Sequence, residues 1–166
     1  KRVHKLIMMS NTYRMSSRGS QIALNKDPNN DLMWRHDMRR LSAEEIRDSI
    51  LNVTGQLNLE MGGPSIYTEV PKDVLATASR PGAAWGKSSE EDRNRRSVYI
   101  FVKRSLHEPF LSAFDWADTD NTCDVRFVTT VPTQTLTLLN SKFLNDSAES
   151  LANRLVKATP GDARAQ

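Results

Sequence analysis

The feature that most constrains the fold is a helix start at Ser42, followed by a long amphipathic run. The Ser42 hydroxyl can accept a hydrogen bond from the backbone amide three residues later, and the Glu45 carboxylate can reach back to the Ser42 amide. Apolar residues then recur at helical spacing as far as Leu57. Because two glycines and a proline at 62–64 oppose continuation, the sequence predicts a helix that begins here and ends before Gly62.

Further segments also show helical periodicity, with apolar residues spaced three and four apart. The predicted segments are residues 2–12, a brief stretch from Pro109 to Phe114, a short helix capped by Thr133 and a last helix from about residue 140 to Lys157. The first of them presents Leu6 and Ile7 on a face that needs a partner. A truncated domain could therefore pair with a second copy of itself, so a homodimer stays open.

Extended segments are fewer. Residues 97–102 are β-branched and aromatic on both alternating faces, which predicts a strand covered on both sides, although a buried helix remains an alternative for so short a run. A short strand is also expected around residues 65–70. Residues 126–131 are extended in character up to Pro132, which disfavours helical backbone for Val131.

Residues 62–96 contain four of the seven glycines and three of the seven prolines of the chain and show no sustained period. A loop of this length is typical of a functional, inserted or mobile segment, and Trp85 is the side chain expected to anchor it to the core. A chain of 166 residues, 38% of them hydrophobic, can bury one core. The expected architecture is therefore mainly α with a minor β component: a single compact helical domain over 1–166 with a long irregular loop at 62–96.

The sequence lacks the close-range patterns of metal and nucleophile sites. His4, His36 and His107 lie far apart, so no metal site is predicted. The acidic run at 115–124 lacks the glycine and the glutamate of a calcium loop, which favours a turn whose Asp and Asn side chains bond to nearby backbone. Cys123 has no neighbouring histidine to activate it, which favours an inert thiol.

Charge and hydropathy exclude other classes of protein. The net charge of +3 is a small excess, and the basic clusters at 35–40 and 93–104 adjoin acidic residues at 44–48 and 90–92. Local neutralisation favours intramolecular ion pairs over a nucleic-acid interface. No stretch approaches the ~20 apolar residues that a membrane-spanning helix needs, so no membrane span is expected.

Several motifs occur along almost the whole chain in the order of one family. They are residues 4–17 with His4-Lys-Leu-Ile-Met-Met-Ser-Asn-Thr-Tyr-Arg14, residues 39–48, Gly62-Gly-Pro64, Arg95-Arg-Ser-Val-Tyr-Ile-Phe-Val-Lys-Arg104, Phe114-Asp115 and Val128-Thr-Thr-Val-Pro-Thr-Gln-Thr-Leu-Thr-Leu-Leu-Asn140. Together they resemble a domain of unknown function (DUF1553, PSD1) at the C-terminal end of planctomycete cytochrome-containing proteins. Thr133 and Thr135 stand where that family more often has Pro and Ala.

The resemblance implies an exported protein, periplasmic or at the cell surface, with sister domains and a haem-binding region upstream. This chain lacks the Cys-x-x-Cys-His motif, so it is expected to bind no haem c and no other cofactor of its own. The family's motif positions define a candidate polar cluster or ligand-binding set, and whether these residues form a buried hydrogen-bond network or line a pocket stays open. The set is Arg14, Arg39, Arg95, Arg96, Asp115, Arg126, Thr130, Gln134 and Asn140, with Cys123 also at a motif position.

Two functional hypotheses follow from these observations. The leading one is a non-catalytic accessory or scaffolding domain that packs against its sister domains and binds an extracellular partner such as a polysaccharide. The alternative is a hydrolase that acts on a glycan or sulfated polymer, with Asp115 or Asp124 as acid or base and Arg95 or Arg96 holding an anionic group.

Overall fold

The computed structural model describes residues 1–78 and 85–161. It is 44% helical and 3% strand, and no sheet forms among the described residues, which confirms the mainly α fold class. The elements are α1 (Arg2–Met8), α2 (Gln21–Lys26), α3 (Ala43–Thr54), α4 (Lys72–Ala76), α5 (Glu90–Arg93), a 3-10 helix (Ser97–Tyr99), α6 (Pro109–Ala113), α7 (Pro132–Asn140) and α8 (Lys142–Ala158).

The chain divides into two compact units, Lys1–Arg40 and Leu41–Gln166. The first unit contains α1 and α2. The helix predicted over 2–12 is wrong at its C-terminal end, because α1 stops at Met8. The Ser10 hydroxyl donates to the Ile7 carbonyl at 2.7 Å and accepts from the Tyr13 amide at 3.2 Å, which gives the backbone a turn in place of another helical turn.

Asp27 organises the rest of the first unit. Its carboxylate accepts from the backbone amides of Asp31 and Leu32 at 3.0 and 2.9 Å, and its carbonyl accepts from the Trp34 indole at 3.1 Å. These bonds fix a turn around Pro28 through side-chain contacts with the backbone. Leu6 and Ile7 of α1 are exposed.

The second unit holds the hydrophobic core. Helix α3 packs against α6, α8 and the 3-10 helix, and α7 packs against α6 and α8. The buried residues of this core are Ala43, Ile66, Ile100, Phe110, Leu111 and Phe114. Most of the core therefore comes from short elements that could not be stable alone and that gain their stability from tertiary packing.

The predicted start of α3 is confirmed, and the helix ends before Gly62 as predicted but stops short of Leu57, the last residue of the apolar run. The Ser42 hydroxyl accepts from the Glu45 amide at 3.4 Å, and the Glu45 carboxylate accepts from the Ser42 amide at 2.8 Å. The helix ends at Thr54 because Gly55 adopts a left-handed conformation with φ of 78°. The Leu57 amide then turns back to the Leu51 carbonyl, so the chain leaves the helix well before Gly62.

The strand predicted over residues 97–102 is wrong, because residues 97–99 form a 3-10 helix. The Asp48 carboxylate accepts from the Ser97 amide at 2.8 Å and from its hydroxyl at 2.6 Å, which fastens the start of this segment to α3. An isolated parallel bridge joins Ile66 to Ile100. Around residues 65–70 this bridge is the only β pairing within the described residues.

Between α6 and α8 the chain contains the predicted short helix, but the residue that caps this helix is not the predicted one. Residues 126–131 adopt neither helix nor strand. Helix α7 begins at Pro132, with Val131 as its cap in place of Thr133, because proline suits the first helical position. Helix α8 confirms the predicted last helix.

Within the 62–96 segment, α4 and α5 interrupt the predicted irregular loop, and residues 79–84 lie outside the described part. The Trp85 indole donates to the Thr68 carbonyl at 2.9 Å, and its ring meets Tyr67 and Phe101 edge-on at 5.6 and 6.2 Å. None of the described helices is both long and apolar enough to cross a bilayer.

Candidate functional site

A cleft of about 560 Å³ opens on the second unit. Its base contains Arg47 from α3, Glu108 at the start of α6 and the ring of Phe110. Its walls come from residues 68–72, the end of α5 and the first turns of α8. The wall residues are Gln56, Thr68, Glu69, Val70, Pro71, Lys72, Glu90, Arg93, Asn94, Lys142, Phe143, Asp146 and Ser147.

Glu108 is a buried carboxyl at the base of the cleft, with only 5% of its surface exposed. It caps α6, accepting a hydrogen bond from the Leu111 amide at 2.6 Å. Burial raises the pKa of Glu108 above its ordinary value, while the Leu111 amide and the charge of Arg47 act in the opposite direction. Its position combines two roles: it completes a helix end and presents a carboxyl to the cleft.

Arg47 is the buried cation opposite this carboxyl. Its guanidinium donates to the Arg95 carbonyl and the Ser97 hydroxyl, both at 3.1 Å, and to the Arg93 carbonyl. Burial lowers the pKa of Arg47, and the negative charges of Glu108 and Asp48 counteract that effect. Arg47 therefore ties α3 to residues 93–97 and forms part of the base of the cleft.

The rim of the cleft carries linked charges of both signs. The Lys142 ammonium lies 2.8 Å from the Asp146 carboxylate and 3.1 Å from that of Glu69. The Arg93 guanidinium lies 3.7 Å from the same Glu69 carboxylate. The hydrogen bonds to Asp146 and Glu69 raise the pKa of the Lys142 ammonium above its ordinary value.

Asp115 and Gln134, two of the sequence-predicted residues, are brought together through Thr129. The Asp115 carboxylate accepts from both the amide and the hydroxyl of Thr129 at 2.8 Å. The Thr129 hydroxyl accepts from the Gln134 amide group at 3.3 Å, and the Gln134 carbonyl accepts from the Val131 amide at 3.4 Å. This network joins the end of α6 to the start of α7.

Arg126 pairs with the first turn of α3. Its guanidinium donates to both oxygens of Glu44 at 2.7 and 2.8 Å. Burial acts to raise the pKa of Glu44, but the hydrogen bond and charge of Arg126, with a further bond from Trp116, outweigh it and lower the pKa. The pair fastens the extended segment before α7 to α3.

Arg95 is buried beneath the 60–64 turn. Its guanidinium donates to the Gly62 carbonyl and, at 3.4 Å, to those of Glu60 and Pro64. It also lies 4.2 Å from the centre of the Tyr99 ring, within the range of a cation–π contact. The arginine that the sequence suggested as an anion clamp thus satisfies backbone carbonyls of its own chain.

The other predicted residues occupy several places. Arg14 and Arg39 belong to the first unit, whereas Arg96, Thr130 and Asn140 are exposed in the second. Cys123 is exposed, and the Asp124 carboxylate bonds to the adjacent Val125 amide. Within the described residues, none of Arg95, Arg96, Asp115 and Asp124 lines the 560 Å³ cleft.

Sequence reasoning missed Glu108 and Arg47 as site residues. A usable signal was present at Glu108, since an acidic residue directly before Pro109 matches a helix cap followed by proline at the first helical position. No such signal marks the burial of Arg47, which depends on contacts across nearly fifty residues of sequence. Among the described residues, no group of three or more His, Cys, Asp or Glu is placed to hold a metal ion.

Comparison with known proteins gives one result. No curated protein and no solved structure matches the chain. The model of one family, described as PSD1, protein of unknown function (DUF1553), matches residues 1–166. Because that match covers the whole sequence, the chain belongs to the PSD1 (DUF1553) family.

Proposed function

We propose that this chain is a non-catalytic accessory domain of a larger exported protein, and that it packs against sister domains through an apolar strip. The strip comprises exposed apolar side chains on residues 125–139: Val125, Phe127, Val128, Val131, Leu136 and Leu139. Phe127 is 83% exposed, an unusual state for an aromatic ring on a surface that meets only water. This exposure is the observation that carries the proposal.

The polar contacts beside the strip support a structural role for it. Asp115 and Gln134 bond to Thr129, and Arg126 bonds to Glu44, so the backbone of the strip is held from two sides. An apolar segment held in place loses little conformational entropy on docking, which favours association. The sister domains, the export and a haem group elsewhere in the parent protein are parts of the proposal that come from the family resemblance.

Hydrogen–deuterium exchange tests the docking proposal. The backbone amides of residues 125–139 should exchange more slowly in the longer parent protein than in this chain alone. Phe127→Ser should abolish that difference, while Met61→Ser, which alters another exposed apolar side chain, should leave it unchanged. Equal exchange of the segment in both proteins would show that the strip is not a docking surface.

A ligand forms the second part of the proposal. An accessory domain of an exported protein is suited to bind an extracellular polysaccharide. The cleft described above has the volume and the polar groups to hold a short segment of such a polysaccharide.

The hydrolase alternative has weaker support. The Asp115 carboxylate accepts from Thr129, and the Arg95 guanidinium donates to backbone carbonyls, so their hydrogen bonds serve the fold. An acid or base needs hydrogen-bond reach to a reacting proton, and an anion clamp needs free donors. If glycan hydrolysis were observed and were lost in Asp115→Asn with the fold intact, the enzyme hypothesis would replace the accessory one.

A further inference from the structure

The charges around the cleft balance. Among the described residues that line it, the basic side chains are Arg47, Lys72, Arg93 and Lys142, and the acidic ones are Glu69, Glu90, Glu108 and Asp146. An anionic polymer in this cleft would meet as many acidic side chains as basic ones. Since charge complementarity selects ligands by sign, a balanced cleft gives no preference for a sulfated or phosphorylated ligand.

The cleft also contains both hydrogen-bond donors and hydrogen-bond acceptors. Lysine and arginine side chains only donate, carboxylates only accept, and the amides of Gln56 and Asn94 do both. A hydroxyl group both donates and accepts, so a molecule with several hydroxyls can satisfy this alternation. The rings of Phe110 and Phe143 add an apolar surface against which the C–H face of such a molecule can pack.

We infer that the cleft between α5 and α8 binds an uncharged, hydroxyl-rich ligand of the chemistry of a neutral sugar. Glu90 and Asp146 accept from its hydroxyls at the rim, and Glu108 does so at the base. The volume of about 560 Å³ lies within the range usual for small-ligand sites and suits one or two sugar rings. This inference rests on the binding role proposed above and assigns it a location and a charge class.

Titration of the full chain with neutral and sulfated sugars tests the inference. The probes are maltose, cellobiose and lactose against a sulfated disaccharide from chondroitin, each followed by amide chemical-shift changes in NMR spectra. At least one neutral disaccharide should shift amides of residues 68–72, 90–94 and 142–147. Its affinity should change less than about twofold when the salt concentration rises, because the ligand carries no charge to be screened.

Two rim substitutions assign the binding to the cleft. Glu90→Gln and Asp146→Asn should each weaken the neutral sugar about tenfold, the size of effect expected when a hydrogen bond to a charged group is lost. Glu149→Gln, an exposed glutamate on the same helix as Asp146, should bind as the unmodified chain does. Two rim positions are substituted because a single substitution could weaken binding by disturbing neighbouring residues. Thermal unfolding of each variant checks that the fold is intact.

Three results would overturn the inference: tighter, salt-sensitive binding of the sulfated sugar, shifts that map outside the cleft, or no shifts with any neutral probe at millimolar concentration. The docking proposal does not depend on these outcomes. The apolar strip and the cleft have no residue in common, and the exchange experiment uses no sugar. Failure of the sugar-binding inference is therefore distinguishable from failure of the docking proposal.

Discussion

At the scale of single residues, the ionisation of Glu108 affects the stability of the fold. Glu108 is buried, and its pKa in the folded chain is raised above the ordinary value of 4.5. On raising the pH, the unfolded carboxyl therefore releases its proton before the folded one does. Between those two pKa values the folded state binds more protons, so the free energy of unfolding falls as pH rises.

Comparison with Glu108→Gln isolates this effect. We expect the free energy of unfolding of the unmodified chain, relative to the Gln variant, to fall as pH rises above 4.5 and to level off once the folded carboxyl ionises. The pKa of Glu44 is lowered below 4.5, so its contribution has the opposite pH dependence. Below pH 4.5 the free energy of unfolding that Glu44 contributes falls as the pH falls. Urea unfolding of both proteins across a pH series measures the difference, and parallel curves would contradict the prediction.

Asp115 combines a hydrogen-bonding role with a backbone role, since its φ is +59° and its carboxylate accepts from Thr129. Asn tolerates left-handed backbone, so Asp115→Asn should cost about 1 kcal/mol through weakened hydrogen bonding alone. Asp115→Ala should cost about 1 kcal/mol more, because alanine adds backbone strain. Asp115→Gly removes the carboxylate without that strain. Urea unfolding should rank the variants Asn, Gly, Ala in order of rising cost, and an alanine variant as stable as the glycine variant would show that the backbone at this position relaxes.

At the scale of elements, Gly55 decides where α3 ends. Its φ of 78° lets the chain reverse, and an added Cβ would lie 3.3 Å from the Arg154 guanidinium. Arg154 itself donates to the Val53 carbonyl in the last turn of α3, so this glycine also permits the approach of α8.

The matched pair Gly55→Ala and Gly55→Asn tests this account of the helix end. Both add a side chain, but Asn adopts left-handed backbone at lower cost. We expect Gly55→Ala to lower the free energy of unfolding by about 1–2 kcal/mol and Gly55→Asn by clearly less. Thermal or urea unfolding measures both values. Equal losses would assign the cost to contact with Arg154 rather than to the backbone.

At the scale of the whole molecule, the two units differ in what stabilises them. Every buried hydrophobic residue of the described chain lies in Leu41–Gln166, from Ala43 to Phe114. The buried residues of Lys1–Arg40 are the polar Asp27 and Asn30. The prediction of one domain over residues 1–166 remains a prediction, and a fragment experiment addresses it.

We expect residues 41–166 to fold alone and to unfold cooperatively, because the hydrophobic core is complete within them. The fragment 1–40 should be largely unfolded, since burial of apolar surface is the main stabilising term and none of its large apolar side chains is buried within the unit. Circular dichroism and thermal unfolding of both fragments and of the full chain provide the measurement. A fragment 41–166 without a cooperative transition would support a single, indivisible domain.

The amino-acid sequence by itself determined the features that depend on neighbours along the chain. The start of α3 follows from Ser42 and Glu45, which lie within one helical turn and need no other partner. The last helix, α8, and the mainly α class follow from the same kind of local rule. The family also follows from sequence, because the family model matches residues 1–166.

Only the tertiary structure decided the features that depend on distant contacts. Asp48 holds the Ser97 segment 49 positions later in the chain, so residues that resemble a strand form a 3-10 helix. Arg47 and Glu108 became the base of a cleft because packing removed both from water, and burial is a property of the whole unit rather than of either residue's neighbours. Local chemistry therefore set where elements begin, while packing set which polar groups meet.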